Sequence, residues 1–140
     1  MIRYRILPDQ KLMVLCLWGN TAAEEILALS ETLRSDPAFS QDYDALVDNT
    51  EVEHPPTGPE LRMLAEPRML VLRADAKLAV VAPAPATYGT SRMHQLFSEF
   101  RSPLHIEIFH DRPSALEWLG REEVDIGAVC AELRRLPGVA

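Results

Sequence analysis

Tyr88, Gly89, Thr90, Ser91 and Arg92, in the run Thr-Tyr-Gly-Thr-Ser-Arg-Met, bring together the densest set of ligand-holding groups in the chain. On a helix Tyr88 and Arg92 stand four residues apart and share a face, so the guanidinium can stack on the ring while its donors point outward. The hydroxyls of Thr87, Thr90 and Ser91 join the free N–H groups of a helix start, which favour negative charge. That chemistry suits a carboxylate- or phosphate-bearing ligand. The same residues also have an architectural use. Gly89 would let the helix approach a sheet, Tyr88 would cover the core, Arg92 would pair with an acidic neighbour, and the hydroxyls would cap the helix.

Other chemistry is sparse. His54, His94, His105 and His110 are scattered, and no two stand at the helical spacing of a metal pair. His110 beside Asp111 at a strand end is the histidine placed for acid–base work, although Asp111 is equally a helix cap. With Asp48 at another strand end, His110 would make a hydrolase or isomerase pair. No Gly-x-Ser-x-Gly elbow, phosphate-cradling Gly-Lys-Ser/Thr loop or dinucleotide fingerprint occurs. No catalytic residue, metal site or cofactor is assigned. Cys16 in an apolar strand-like run and Cys130 on a helix-like tail fit no metal pattern, and both read as small buried hydrophobes.

The chain has 140 residues, 14 Lys and Arg against 21 Asp and Glu, and a net charge of -7. That length suits one domain able to bury a core without metals or cross-links. The negative balance opposes a phosphate backbone, so nucleic acid is not an expected partner. The apolar runs are too short to span a bilayer. The N-terminal Met-Ile-Arg-Tyr-Arg-Ile-Leu-Pro-Asp has no apolar region or cleavage site of a signal peptide, which points to the cytoplasm.

Elements that would position these residues follow from pattern. Ile2 to Leu7 and Leu12 to Trp18 are strand-like runs around Pro8-Asp9-Gln10-Lys11, a turn suited to an antiparallel pair. Thr21 and Glu24 form a capping box before a helix that ends near Ser35-Asp36-Pro37. Tyr43 to Val47 reads as a buried strand stopping at Asp48-Asn49-Thr50, followed by a loop over Glu51 to Pro56. Thr57 and Glu60 form a second capping box, for a helix that Pro67 kinks or divides and that ends around Arg73 to Ala76. Leu78 to Ala82 is a fourth strand. Met93, Leu96, Phe97 and Phe100 mark the core face of the helix that carries Tyr88. Leu104 to Phe109 is a fifth strand, Asp111 caps a short helix, and Gly120 ends it. Ile126, Val129, Cys130 and Leu133 lie on one stripe of a tail helix, which packs on its own domain or on a second subunit. The order β-β-α-β-α-β-α-β-α plus a C-terminal helix predicts an α/β fold, with a single mainly parallel five-stranded sheet flanked by helices. Residues 1–120 form the domain and 121–140 the tail.

This order, the strand ending at Asp48, and the segment from Phe109-His110-Asp111 to Trp118-Leu119 resemble the SpoIIAA-like group of the STAS/SEC14-like superfamily over residues 2–120. The group's Tyr-Gly-x-x-Arg-Met-like patch is matched by Tyr88, Gly89, Arg92 and Met93. Bacterial anti-sigma factor antagonists of this type carry a phosphorylatable serine after the Asp that closes the third strand. Here that position is Asn49, which cannot be phosphorylated, so the resemblance does not bring the phospho-switch. Thr50 and Thr57 are the remaining hydroxyls nearby.

In open α/β sheets ligands sit beyond the carboxyl ends of parallel strands. That rule makes Tyr88, Gly89, Thr90, Ser91 and Arg92 the candidate ligand site, with Asp48, Asn49 and His110 as secondary candidates. The favoured reading is a regulatory or binding domain for a small anionic or amphipathic ligand, or for a protein partner. The alternatives are a small hydrolase or isomerase, and a homodimer-forming interaction module built on the tail helix or a sheet edge.

Overall fold

The computed structural model describes residues 1–54, 57, 59–60, 72, 75–99 and 105–136, and for 93–99 the backbone alone. Two aliphatic runs open the chain. Ile2–Leu7 (β1) and Leu12–Asn20 (β2) pair antiparallel, Ile2 opposite Leu17 and Leu7 opposite Leu12. They are joined by a 3-10 turn over Pro8–Gln10, closed by Lys11 in the left-handed region at φ 49°. Then come Ala23–Arg34 (α1), Asp44–His54 (β3), Lys77–Val81 (β4), Pro85–Glu99 (α2), His105–Phe109 (β5), Arg112–Leu119 (α3) and Ile126–Arg135 (α4). The strands lie in chain order, and every pair after the first is parallel. The predicted α/β architecture is therefore the observed one.

Strand alternation divides the interior into two layers. On one face Leu12, Val14, Cys16, Leu46, Ala79 and Val81 pack beneath Ala115, Leu116 and Leu119 of α3 and Ile126, Cys130 and Leu133 of α4. On the other, Met13, Leu15, Leu17 and Ala45 meet Leu33 of α1. The β4–α2–β5 crossover advances along the sheet in the same sense as β2–α1–β3, so right-handed connections put α2 on the α1 side.

Local chemistry sets the helix ends. Asp111 accepts a hydrogen bond from the Ser114 N–H at 2.7 Å and starts α3, and Gly120, at φ 71°, stops it. Asp125 accepts from the Ala128 N–H at 3.0 Å and starts α4. Arg3 of β1 closes α4, its Nη1 donating to the carbonyls of Leu133 and Leu136 at 2.7 and 2.6 Å. A cation there also suits the negative end of the helix dipole. Arg5 pairs with Glu132 at 2.6 Å. No helix of the described residues is long and apolar enough to cross a membrane.

Three expectations need correction. The Thr21–Glu24 capping box does not form: α1 starts after Ala22, and Thr21 Oγ1 is buried with no hydrogen-bond partner among the described residues. Glu60 takes over instead, Oε2 accepting from the Ala23 N–H at 3.3 Å and Oε1 from the Thr57 N–H and hydroxyl at 3.2 and 3.0 Å. The Thr57 N–H, then that of Ala23 and the Thr57 hydroxyl, hold the Glu60 carboxyl below its usual range. Second, β3 does not stop at Val47 but runs to His54, because β2 continues beside it to Asn20 through register irregularities at Cys16/Trp18 and Gly19/Asn20. The loop expected over Glu51 to Pro56 is thus strand up to His54. Third, Cys16 and Cys130 are buried but not simple hydrophobes. They form a disulfide across 114 residues of sequence, with Cα atoms 5.7 Å apart. The helix body after Glu60, the break at Pro67, and the side-chain stripe from Met93 to Phe100 lie outside the described residues.

Candidate functional site

Residues of β2 and β3 line a cleft of about 150 Å³, among them Trp18, Asp48 and Glu51, together with Arg112 of α3 and Arg134 of α4. Strand alternation turns Asp48 toward α3 and α4, where it is 2% exposed. Its Oδ2 accepts a hydrogen bond from Arg112 Nε at 2.9 Å and is ion-paired with Nη2 at 2.8 Å. Its Oδ1 accepts from the Thr50 N–H at 2.9 Å and from the Thr50 hydroxyl. A buried carboxylate requires this kind of compensation. Arg112 reaches it from the first position of α3, and its side chain is 32% exposed. A Cβ at Gly127 would come within 3.2 Å of Arg112 Nη1, so the glycine leaves the guanidinium its place. Nη1 itself meets no acceptor among the described residues, which leaves donors for something else.

Trp18 forms a wall of the cleft, with the guanidinium carbons of Arg3 and Arg134 at 5.9 and 5.8 Å from its ring centre. Arg134 approaches Glu51 at 3.9 Å across the mouth. Both are exposed, so that contact contributes little and leaves Arg134 available. Cys16 and Cys130 also line the cleft, and Cys130 Sγ lies 3.4 Å from Asp48 Oδ2.

The residues expected to bind a ligand stand elsewhere. Tyr88 is half-buried on α2 and stacks face to face on His110, ring centres 4.3 Å apart and planes 10° from parallel. Thr87 and Ser91 are buried, Thr90 is half-buried, and Gly89 and Arg92 are exposed. A Cβ on Gly89 would meet nothing within 4 Å, so this glycine does not serve a close helix–sheet approach. Asn49 alternates to the opposite face from Asp48, and its Oδ1 is buried without a partner among the described residues. Asp111 has its carboxyl held low by the Ser114 N–H first, then by the Ser114 hydroxyl and the charge of His110.

Asp48 and His110 do not share a site: Asp48 faces the cleft and is bound to Arg112 and Thr50, while His110 is stacked on α2. The hydrolase pairing has no geometry to support it. The sequence does not pair Arg112 with Asp48, because the two stand 64 residues apart and nothing local to Asp111-Arg112-Pro113 indicates the contact. No cluster of three or more His, Cys, Asp or Glu side chains suited to a metal occurs among the described residues.

No family model matches the chain, and no curated protein matches it. Its structure is similar to the crystal structure of an uncharacterized protein from the DUF3478 family with a SpoIIAA-like fold, from Shewanella loihica PV-4. The TM-score is 0.54 at 18% identity, over 84% of this chain and 93% of that one. The chain has a SpoIIAA-like fold, as the element order and the segment from Phe109 to Leu119 implied.

Proposed function

We propose that this protein is a non-catalytic binding module that holds a small carboxylate- or phosphate-bearing ligand in the cleft between Arg112, Arg134 and Trp18. The observation that carries this reading is Arg112. Its Nε and Nη2 are committed to buried Asp48, which fixes the guanidinium rigidly, while Nη1 is left without an acceptor among the described residues. A guanidinium fixed in this way binds an oxyanion with little loss of side-chain freedom. Arg134 at the mouth adds a second positive charge, and Trp18 adds an apolar wall. Asp48 stands level with the carboxyl ends of β4 and β5, the side of the sheet where α/β folds bind ligands.

The start of α2, with Thr90, Ser91 and exposed Arg92 beside the Tyr88–His110 stack, is a second candidate surface for the same class of ligand or for a protein partner. One thermal-shift screen separates the two. Wild type, Arg134→Ala and Arg92→Ala are each heated with a panel of small carboxylates, phosphates and nucleotides. Stabilisation that disappears in Arg134→Ala and persists in Arg92→Ala is the expected result. The converse moves the ligand to α2, and equal stabilisation of all three proteins removes both sites.

A further inference from the structure

β1 stands at the end of the sheet, and no described strand pairs with its outer edge. The direction of its backbone groups follows from one pair. The Met1 amine donates to the Trp18 carbonyl and the Trp18 N–H to the Met1 carbonyl, both at 3.0 Å, so Met1 and Trp18 are a hydrogen-bonded pair. In an antiparallel ladder such pairs alternate with non-hydrogen-bonded ones. Arg3 with Cys16, Arg5 with Val14 and Leu7 with Leu12 therefore bond inward, and the N–H and C=O groups of Ile2, Tyr4 and Ile6 point away from β2. These outward groups meet no partner among the described residues. Exposed edges are ordinarily blunted by proline, lysine or a bulge. β1 contains neither residue, and its register against β2 runs without a break. Its arginines do not stand across the edge, because both turn back to α4, Arg3 to the Leu133 and Leu136 carbonyls and Arg5 to Glu132.

The two sides of this edge differ in chemistry. Ile2, Tyr4 and Ile6 are half-buried on the α1 side, in the apolar layer that Ile26 and Leu29 of α1 also join. Arg3 and Arg5 lie on the α4 side. The Arg5 and Glu132 side chains are 34% and 58% exposed, so their pairing contributes little and leaves Arg5 able to meet a second carboxylate. A second copy of β1 does not complement this pattern. Every antiparallel register that overlaps most of two such strands sets Arg3 opposite Arg5 or Arg5 opposite itself, and like charges so placed destabilise a ladder. On the outer edge these are the non-hydrogen-bonded positions, where opposed side chains stand closest. The complement is a strand with carboxylates at those positions and apolar residues between them.

We propose that the outer edge of β1 docks an extended segment of another protein, in which Asp or Glu alternates with apolar residues, as an added antiparallel strand. This goes beyond the anion-binding reading and does not depend on it. The apolar residues of the segment lie opposite Ile2, Tyr4 and Ile6, exchange both backbone hydrogen bonds with them, and extend the layer beneath α1. Its carboxylates lie opposite Arg3 and Arg5 on the α4 side. Backbone pairing supplies the affinity, and the alternation of charge with apolar side chains supplies the selectivity.

The test uses the full-length protein and two capped peptides, one alternating valine with glutamate and one alternating valine with lysine. Amide hydrogen exchange followed by NMR is expected to be fast at Ile2, Tyr4 and Ile6 and slow at Arg3 and Arg5 in the free protein. The glutamate peptide is expected to slow exchange at Ile2, Tyr4 and Ile6. It should bind about tenfold tighter than the lysine peptide, and Arg5→Glu should abolish or reverse that preference. N-methylation separates strand pairing from charge attraction: methyl groups on the valine amides, which face β1, abolish binding, and methyl groups on the glutamate amides leave it unchanged. Failure of the glutamate peptide to bind, equal tolerance of both methylated forms, or equal binding of the glutamate and lysine peptides overturns the proposal. So does slow exchange at Ile2, Tyr4 and Ile6 in the protein alone together with a dimer's mass in sedimentation, which gives the edge to a second copy. The methylated peptides act on wild type, so they still decide between pairing and charge should Arg5→Glu fail to fold.

Discussion

Asp48 accepts hydrogen bonds from Arg112 and Thr50 and has almost no contact with water, so the protein depends on its partners more than on the carboxylate itself. Arg112→Ala leaves a buried charge uncompensated and is expected to cost about 3 kcal/mol, read from urea unfolding. Arg112→Lys keeps the charge but not the fork of donors, and should recover only part of that loss. Tyr4 gives a pH test on the opposite face. Its hydroxyl donates to Asp36 at 2.7 Å, and burial first, then that bond and the charge of Asp36, push the phenol up to about 12 from 10.0. The folded value lies above the unfolded one, so this stabilisation is complete below pH 10.0 and disappears as the pH rises toward about 12. Melting temperatures followed by circular dichroism should therefore fall through that window in wild type. Tyr4→Phe should be less stable at neutral pH and lose this contribution to the alkaline fall. Asp36 behaves in the opposite sense. The Ala38 N–H first, then the Tyr4 hydroxyl, hold its carboxyl low, so its contribution is present above 3.8 and is lost as the pH falls through the lower folded value.

Among the elements, α3 shows what local sequence can and cannot reveal. Asp111 and Gly120 bound it as their residue types imply, because a cap and a left-handed stop involve only neighbours in sequence. At Gly120 an added Cβ would meet nothing within 4 Å, so the strain of Gly120→Ala is purely a matter of backbone conformation. It should cost about 1 kcal/mol in chemical denaturation, with no change in the cleft. The start of α1 was not legible. The donor at its first residue is met by Glu60, 37 residues away, and the Thr21 hydroxyl has no partner among the described residues. The end of β3 was hidden in a similar way: the polar run from Asp48 to His54 has no strand pattern of its own, and extends because β2 supplies pairing. For the site, the rule of strand carboxyl ends put Tyr88 to Arg92 first and Asp48 only among the secondary residues, so the cleft itself was not singled out. The cleft's own makeup was not legible: the tail-helix stripe showed which face carries Cys130, but not that Arg112, Gly127 and Arg134 would meet Asp48 and Trp18 there.

At the scale of the whole molecule the β-β-α opening and the later alternation of strands and helices were sufficient to predict the sheet, and its strand order is the simplest one those elements allow. The disulfide was not predictable, since strand β2 and helix α4 meet only after the sheet has formed. Cys16→Ala/Cys130→Ala is expected to reduce stability by about 2–4 kcal/mol while the protein still folds, measured by urea unfolding with and without a reductant. The reductant should lower the stability of wild type and leave the variant unchanged.

The two layers also differ in time. The α1 face gains cover as the α1 and α2 crossovers are made, whereas α3 and α4, which cover the other face, follow β5 in the chain. During synthesis Leu12, Val14, Leu46 and Val81 therefore form one side of a sheet that has nothing to lie against until residues 112–135 have left the ribosome. Nascent chains arrested before residue 112 should bind a hydrophobic dye that the released protein does not. This half-clad stage presents an adhesive surface to a chaperone or to a second unfinished chain, and throughout it Cys16 is a thiol whose partner does not yet exist.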